Sequence, residues 1–271
     1  MQYNATVTDV KSITDEIKLF LIRFDDGRAV EFNAGQFAVL SLPDDKSKPE
    51  GEWIRRAYSI ASVPGQGEAE FYVVLATDGR PAPEPDGACE DKRLTSRLFA
   101  LEKGSKINMS EKAAGLMRYD NVEEDADIAL VATGTGIAPF ISILRTHKAE
   151  IFNGRRQVAL AHGVRHTYEL GFKGELEDMQ REFSSFHYYP VVSRSESEAG
   201  AAWHGRKGHV QSLILDGTVE KDIGRKISPD HMHVFLCGTP KMIDEAVPIF
   251  LERGFAKHSA TSKGNLHFDK H

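Results

Sequence analysis

From residue 128 onwards, short apolar runs alternate with stretches of helical character. The strand-like runs cover residues 128–132, 158–163, 186–192 and 233–237, and the helical stretches cover residues 139–151, 174–183, 208–215 and 240–252. Strands that alternate with helices along a chain form a parallel sheet with helices on both of its faces. The second half of the chain therefore predicts a doubly wound α/β domain, which we place at residues 123–271.

The first half has a different pattern. Short β-prone runs lie at residues 3–10, 17–24, 32–42, 57–61 and 71–75, with glycine- and aspartate-containing turns such as the one at residues 25–28. The one short helix candidate covers residues 94–101, and the proline-rich stretch at residues 77–92 predicts a surface loop. Many short strands joined by such turns indicate a small antiparallel barrel. We place this domain at residues 1–122.

Composition excludes several classes of protein. Hydrophobic residues make up 41% and charged residues 27% of the 271-residue chain, as in globular rather than disordered proteins. Neither a bilayer-spanning stretch nor a secretory signal is visible, so we expect a cytoplasmic protein without membrane association. The net charge of −6 argues against bulk nucleic-acid binding. The two cysteines, Cys89 and Cys237, cannot supply a four-cysteine iron–sulfur cluster, and we expect no metal site.

A glycine-containing turn follows the first strand-like run of the α/β half. Residues 128–132 lead into Gly134, Thr135 and Gly136, and Pro139 stands where the next helix begins. Glycines let a backbone approach a ligand closely, and a helix N-terminus favours a pyrophosphate. The usual third glycine of the dinucleotide fingerprint is absent. A phosphate-binding turn and a plain tight connection therefore both remain open at this point.

Short motifs occur in order along almost the whole chain. They are Arg-Ala-Tyr-Ser at residues 56–59, Leu-Thr-Ser-Arg-Leu at residues 94–98, Gly-Thr-Gly-Ile-Ala-Pro-Phe at residues 134–140 and Cys-Gly-Thr-Pro at residues 237–240. Together they resemble the ferredoxin–NADP⁺ reductase family, and most of all its compact bacterial members. The resemblance implies a six-stranded Greek-key β-barrel that binds FAD, followed by a doubly wound α/β domain that binds NADP(H). It implies hydride transfer between NADP(H) and FAD, and single-electron transfer between FAD and a ferredoxin or flavodoxin.

The resemblance also implies a set of FAD-binding residues in the first domain. They are Arg56, Ala57, Tyr58, Ser59, Leu94, Thr95 and Ser96. Tyr58 would stack on the isoalloxazine ring, Ser59 would hydrogen-bond near flavin N5, and Arg56 would pair with the pyrophosphate. The hydroxyl and backbone N–H groups of Thr95 and Ser96 would bind the same phosphates. Taken alone, residues 56–59 could equally be a barrel strand with one exposed arginine.

A second implied set binds NADP(H). It comprises Gly134, Thr135, Gly136, Arg165, Ser193, Arg194, Lys207 and His209. Arg194 and Lys207 would neutralise the adenosine 2′-phosphate, and Ser193 would donate a hydrogen bond to it. Because that phosphate distinguishes NADP from NAD, basic side chains here favour NADP. His209 stands where the family often has an aromatic ring over the adenine. The alternative is a solvated charged loop that contains Arg194, Arg206 and Lys207.

The implied catalytic residues come from both domains and include Ser59, Cys237, Asp269 and His271. Cys237 would shape the nicotinamide pocket without acting as a nucleophile, or it is simply a small buried filler. The C-terminal tail would return to the flavin, with Asp269 where many relatives carry glutamate and His271 on the ring. Alternatively, Phe268 would stack on the adenine end of FAD, or the tail is a frayed terminus.

The carrier and the rival functions complete the expectations. Because such carriers are usually acidic, we expect a basic rim near the flavin, with Arg55, Lys92, Arg93 and Arg97 as candidates; plain surface charges are the alternative. On the same fold, the chain could be the reductase component of an oxygenase, or a flavin or quinone reductase. From another class, it could be a non-catalytic flavin-binding regulatory subunit. The retained motif residues favour an enzyme.

Overall fold

The chain divides into two compact units. The computed structural model describes residues 1–45, 47–48, 50–76, 94–120, 122–195 and 203–270. The units are Met1–Ala114 and Gly115–His271, so the division lies before the boundary that we placed between residues 122 and 123. Tyr119 explains the difference, because its ring packs on that of His147 in the second unit, with a centroid distance of 4.5 Å. The proline-rich stretch at residues 77–92 with Cys89, and also Lys92, Arg93 and His271, lie outside the described residues.

The first unit is a six-stranded antiparallel sheet. Its elements are β1 (Ala5–Thr14), β2 (Ile17–Phe24), β3 (Phe37–Pro43), β4 (Trp53–Ser59), β5 (Ala69–Val74), α1 (Leu94–Phe99) and β6 (Lys106–Met109). The strand order is β4-β3-β6-β1-β2-β5, and a bridge between Ile60 and Phe71 joins the two ends of the sheet. Three consecutive strands, β3 to β5, are thus followed by a fourth that returns beside β3, which is the Greek-key arrangement. The predicted barrel is confirmed.

Alternation of apolar and polar residues builds the barrel core. On β2, Phe20, Ile22 and Phe24 are buried, because every second side chain of a strand lies on the same face. Strand β6 follows the same rule, with Ile107 and Met109 buried. We did not predict β6 from the sequence, because two apolar residues in a strand of this length form too weak a pattern.

The second unit is a six-stranded parallel sheet flanked by helices. Its elements are β7 (Asp127–Thr133), α2 (Ala138–Thr146), α3 (Lys148–Ile151), β8 (Val158–Val164), α4 (Lys173–Glu182), β9 (Phe186–Val192), β10 (Arg206–Lys207), α5 (Val210–Leu215), α6 (Thr218–Ile223), β11 (Met232–Gly238), α7 (Pro240–Glu252) and β12 (Leu266–Lys270). The strand order is β10-β9-β8-β7-β11-β12, and neighbouring strands run parallel. No helix in the described part of the chain is long and apolar enough to cross a bilayer.

The sheet has a point at which its strand order reverses. From β7 the chain moves outward through β8, β9 and β10, and it then returns to add β11 on the other side of β7. Strands β8 and β11 are buried along their whole length, which is why they read as continuous apolar runs. In open parallel sheets, ligands bind in the crevice at the carboxyl ends of the strands beside such a point. That crevice lies at the ends of β7 and β11.

Several elements differ from the sequence prediction. The helix expected at residues 139–151 is divided into α2 and α3 at His147, and the helix expected from residue 208 begins at Val210. Strand β12 was expected to be a tail, because His267, Asp269 and Lys270 hide the strand pattern. Leu266 nevertheless buries fully in the core of this unit. Strand β10 and helix α6 were not predicted either.

Candidate functional site

The turn after β7 touches the turn after β11. Residues Gly134–Ile137 form a single 3₁₀ turn that leads into α2. A Cβ placed on Gly136 would lie 2.1 Å from the carbonyl oxygen of Cys237, and one on Gly238 would lie 2.1 Å from Oγ1 of Thr133. The backbone N–H of Thr239 donates to that same Oγ1 at 3.0 Å. Only glycine allows these strand ends to approach so closely.

A buried histidine supports the glycine turn. His162 lies on β8 with none of its surface exposed, and its Nε2 is 3.0 Å from the carbonyl oxygen of Gly134. Because a carbonyl oxygen can only accept, Nε2 carries the hydrogen. Burial lowers the pKa of His162 to about 4, so the ring is neutral at pH 7. No sequence motif pointed to His162, since a histidine within an apolar strand is more often a structural residue.

The thiol of Cys237 is fully buried at the end of β11. Its partner in the neighbouring strand is Asp269 of β12. Burial raises the pKa of the Cys237 thiol well above its usual value, and the negative charge of Asp269 acts in the same direction. The thiol therefore stays protonated at physiological pH. This agrees with a residue that shapes a pocket or fills space, and it disagrees with a nucleophile.

We expect Cys237 to be unreactive in the folded protein. Only the thiolate attacks a disulfide reagent. Burial keeps the Cys237 thiol protonated and also prevents the reagent from reaching its sulfur. In a Cys89→Ser background, a disulfide reagent at pH 8 should label no thiol until denaturant is added. The same variant in guanidinium is the control and should react fully. Stoichiometric labelling of the native protein within minutes would contradict the assignment.

Hydrogen bonds to backbone carbonyl oxygens join the carboxyl ends of β8 and β9. The backbone N–H of Arg194 donates to the carbonyl oxygen of Arg165 at 2.8 Å, and that of Ser193 donates to Val164 at 2.9 Å. The Ser193 hydroxyl also donates to the Val164 carbonyl, at 3.2 Å. These bonds continue the β8–β9 pairing past the strand ends. They bring Arg165, Ser193 and Arg194, which were far apart in the sequence, into one cluster.

Strand β10 lies beside β9 and carries two cations, Arg206 and Lys207. The Arg206 guanidinium lies 5.3 Å from the centre of the Tyr189 ring and 3.6 Å from Asp222. Neighbouring residues of a strand face opposite sides of the sheet, so the exposed Lys207 lies on the other face from Arg206. His209 is exposed and precedes α5 as its N-cap residue. Arg206 therefore does not share a surface with Lys207.

In the first unit, the middle of β4 is exposed on both of its faces. Arg55, Arg56 and Ala57 are exposed in succession, although alternate residues of a covered strand would be buried. Arg56 donates from Nη1 to the carbonyl oxygen of Arg55 at 2.7 Å, and within the described residues no carboxylate pairs with it. Tyr58 packs against the barrel core, and burial raises the pKa of its hydroxyl. This strand presents an uncovered surface beside an unpaired positive charge.

Helix α1 lies against β3 and β4 and contains Thr95 and Ser96, which were expected to bind FAD. Thr95 and Ser96 are partly exposed, and Oγ1 of Thr95 accepts from the backbone N–H of Ala76 at 3.3 Å. The Leu94 side chain is only 1% exposed and belongs to the barrel core, so its expected contact with a cofactor stays a prediction that concerns its backbone. Arg97 pairs with Asp44 at 2.8 Å, and it is therefore not an unpaired member of a basic rim.

The C-terminal strand is held by its own unit. Phe268 packs against the core of the second unit, with Nζ of Lys257 5.7 Å from the ring centre. His267 is 2% exposed, and its Nε2 lies 3.1 Å from Nδ1 of His233. Burial, followed by the nearby His258 and His233, lowers the pKa of His267 to about 3. A frayed terminus is therefore wrong for residues 266–270.

We expect acid to destabilise the second unit through His162 and His267. The folded-state pKa values of about 4 and about 3 lie below the ordinary value of 6.5, so the unfolded chain binds protons first. The stability is complete above pH 6.5 and is lost as pH falls towards the folded-state values. At pH 5 the loss should be about 2 kcal/mol for each histidine. Chemical unfolding at pH 7 and pH 5 measures it.

Matched substitutions separate this effect from general acid sensitivity. His267→Phe should remove about half of the pH dependence, because one titrating group is lost. His204→Phe should leave it unchanged, because His204 is exposed. An unfolding free energy that is equal at both pH values in the natural protein would refute the assignment.

Comparisons with known proteins agree with this geometry. The family model for the oxidoreductase NAD-binding domain matches residues 130–247. The flavodoxin/ferredoxin–NADP reductase of Escherichia coli (strain K12) is 30% identical over 238 residues, which is 88% of this chain and 85% of that protein. The ferredoxin–NADP reductase of Pseudomonas aeruginosa is 29% identical over 236 residues, or 84% and 81% of the two chains.

A solved structure shows the same fold over both units. The crystal structure of a ferredoxin NADP⁺ reductase from Neisseria gonorrhoeae with bound FAD and NADP superimposes with a TM-score of 0.78. The superposition covers 100% of this chain and 99% of that chain at 24% identity. The barrel, the α/β sheet and the identity to the Escherichia coli protein together lead to one conclusion: this chain belongs to the flavodoxin/ferredoxin–NADP reductase family.

Proposed function

We propose that this protein is an FAD-dependent reductase that oxidises NADPH and passes the electrons singly to a ferredoxin or flavodoxin. The observation that carries the proposal is the close contact between Gly136 and the Cys237–Gly238 backbone at the reversal point of the parallel sheet. A side chain at either glycine would force the two turns apart, whereas a dinucleotide crevice at this point requires that they stay close. The relatives with this activity in their names match across both units.

The first unit fits FAD. The exposed part of strand β4 carries Arg56, which pairs with no carboxylate in the described part of the chain, and such a guanidinium suits a pyrophosphate. Tyr58 would pack along the flavin ring, Ser59 would hydrogen-bond it, and Thr95 and Ser96 would bind its phosphates with their hydroxyls. When bound, FAD accepts a hydride and releases electrons one at a time. The residues of the protein bind it, orient it and exclude water.

The second unit fits NADP(H). Gly134, Thr135 and Gly136 form the turn that would hold the dinucleotide backbone, and the His162 bond to Gly134 fixes that turn. Arg165, Ser193, Arg194 and Lys207 would hold the adenosine 2′-phosphate, with His209 beside the adenine. Neutral Cys237 would line the nicotinamide pocket without taking or giving a proton.

The C-terminal residues belong to the same proposal. Asp269 lies beside Cys237 in register, and its carboxylate would help to orient the nicotinamide. His271 would cover the flavin, whereas the packing of Phe268 within its own unit disfavours stacking on the adenine end of FAD. The FAD domain would end at residue 122 and the NADP(H) domain would begin at residue 123. The cytoplasmic location belongs to this proposal as well.

Flavin reduction tests the proposal directly. The purified protein should be yellow, NADPH should bleach it under anaerobic conditions, and added ferredoxin or flavodoxin should restore the colour. The apparent KM for NADPH should be well below that for NADH; equal values would defeat the assignment to NADP(H). A yellow protein that NADPH does not bleach would indicate a non-catalytic flavin-binding subunit instead. Reoxidation by free flavin or a quinone alone would identify one of the rival reductases.

We expect the rate of carrier reduction to fall as salt rises. An acidic carrier would be steered by basic side chains, of which Arg55 is exposed and Arg97 is already paired with Asp44. Raising the ionic strength from 0.1 M to 1 M shortens the Debye length from about 10 Å to about 3 Å. The second-order rate constant should fall roughly tenfold or more over that range. The rate of flavin reduction by NADPH is measured in parallel as a control. A rate of carrier reduction that does not change with salt would rule out electrostatic steering.

A further inference from the structure

The loop after β8 contains a carboxylate that holds an arginine. Glu169 ends the short 3₁₀ turn Thr167–Glu169 and is only 5% exposed. Its Oε2 accepts from the backbone N–H of Arg165 at 2.8 Å and from that of His166 at 3.3 Å. Its Oε1 accepts from Nε of Arg165 at 3.2 Å and from Nη2 at 2.9 Å. One buried carboxylate therefore fixes both the backbone and the guanidinium of Arg165.

This arrangement leaves one edge of the Arg165 guanidinium for a ligand. An arginine side chain has five N–H donors, and Glu169 uses the one on Nε and one of the two on Nη2. The Arg165 side chain is 46% exposed, and the described residues supply no acceptor for the remaining donors. A planar guanidinium that is fixed on one edge and open on the other suits a phosphate group.

Arg165 belongs to the cluster that backbone hydrogen bonds form at the ends of β8 and β9. The Arg165 carbonyl oxygen accepts from the backbone N–H of Arg194, so movement of the Arg165 backbone would also disturb Arg194. By holding the backbone N–H groups of Arg165 and His166, Glu169 stabilises the loop on which this cluster depends. No sequence motif pointed to Glu169.

We propose that Glu169 is the positioning residue that sets the preference for a 2′-phosphorylated dinucleotide, by presenting the open edge of Arg165 to that phosphate. The inference rests on the proposed function, in which Arg165 belongs to the NADP(H)-binding residues. Glu169 acts through Arg165 and does not touch the ligand. Without Glu169, the Arg165 side chain would be mobile in the free protein and would become ordered only when the ligand binds. This entropy cost weakens the affinity for the ligand about three- to tenfold.

The sign of the effect distinguishes positioning from simple charge. Glu169 carries a negative charge near the site proposed for a phosphate. If it acted only through that charge, Glu169→Gln would remove a repulsion and strengthen binding of the phosphate. If it positions Arg165, the same substitution leaves only one acceptor oxygen, which cannot hold both the backbone and the guanidinium of Arg165, and binding weakens. The two explanations therefore predict opposite changes in affinity.

Calorimetric titration of the FAD-loaded protein tests this without turnover. The probes are adenosine 2′,5′-bisphosphate and adenosine 5′-monophosphate, which differ only in the 2′-phosphate. Glu169→Gln should bind the bisphosphate about three- to tenfold more weakly and the monophosphate as the natural protein does. Arg165→Ala should lose at least as much, and the double variant should bind no more weakly than Arg165→Ala. Such non-additivity is the mark of residues that act through each other.

Several results would overturn the inference. These are unchanged or tighter bisphosphate binding by Glu169→Gln, unchanged binding by Arg165→Ala, and additive losses in the double variant. Glu177→Gln is the matched control, because Glu177 forms an exposed ion pair with Lys173 on α4 and should leave both affinities unchanged.

A second variant covers the case in which Glu169→Gln does not fold. Glu169→Asp keeps the buried charge but withdraws the carboxylate by one methylene, so it cannot hold both the backbone and the guanidinium of Arg165. It should show the same selective loss, and natural affinity in this variant would overturn the inference. Failure of the proposed function gives a different result. In that case the natural protein would still bind the bisphosphate more tightly than the monophosphate, but NADPH would not bleach its flavin. The proposed function would then be wrong, and the role of Glu169 would be unaffected.

Discussion

Gly136→Ala is expected to abolish NADPH-driven flavin reduction. The new Cβ would lie 2.1 Å from the carbonyl oxygen of Cys237 and 2.5 Å from its carbonyl carbon. These are backbone atoms of a buried strand, so they cannot move aside as a flexible side chain would. The turn after β7 must separate from the turn after β11, at a cost of about 3 kcal/mol or more. We expect the rate of flavin reduction to fall at least ~100-fold, because small displacements of bound reactants are this costly.

The measurement is a stopped-flow rate of flavin bleaching, together with thermal unfolding of each variant. Gly174→Ala is the matched control in the same unit, because a Cβ there meets nothing within 4 Å. Gly174 lies in helix α4, where alanine is the better helix former by about 1 kcal/mol. This variant should therefore be as active as the natural protein and at least as stable. A Gly136→Ala protein with natural rate and stability would show that the two turns do not form the dinucleotide crevice.

Arg56→Ala is expected to weaken FAD binding by about 10- to 100-fold. The Arg56 side chain is exposed and donates only to the carbonyl oxygen of its neighbour, Arg55, among the described residues. Its charge is therefore available for the flavin pyrophosphate, and a charge-assisted hydrogen bond contributes roughly 1.5–3 kcal/mol. The unfolding free energy of the unit should hardly change, because Arg56 is not part of the barrel core. Arg56→Lys should give an intermediate loss, since it keeps the charge but not the fork.

Release of FAD on dilution, followed by the rise in flavin fluorescence, gives the dissociation constants. Arg23→Ala is the control, because Arg23 is an exposed arginine on β2 of the same barrel. It should retain FAD as the natural protein does. If Arg56→Ala and Arg23→Ala released FAD equally, the placement of the pyrophosphate beside β4 would be wrong.

The α/β half of the fold could be predicted because its strands are buried on both faces. Strands β8 and β11 lie between neighbouring strands and under helices, so their sequences are apolar throughout and easy to recognise. Strand β12 is at the edge of the sheet, where His267 is accommodated by a hydrogen bond to His233. Its strand character depends on pairing with β11, which no local pattern reveals.

The candidate site could be predicted only in part, for a related reason. The turn after β7 can be recognised in the sequence by its glycines, which are required there because the backbone of Gly136 closely approaches Cys237 and Gly238. His162 acts through a contact with the neighbouring turn and Glu169 through contacts within its own loop, and neither belongs to a recognisable motif. Leu94 shows the opposite case, since it lies within a motif but its side chain serves the barrel core.

Electron stoichiometry under anaerobic conditions is the most direct test of the central claim. A hydride carries two electrons, whereas a ferredoxin accepts one, so a flavin between them must divide the pair. For the FAD-loaded protein, two ferredoxins should be reduced for each NADPH consumed, and the protein stripped of FAD should reduce none until FAD is restored. NADPH consumption without any reduced carrier, or carrier reduction that does not depend on FAD, would contradict the proposed function.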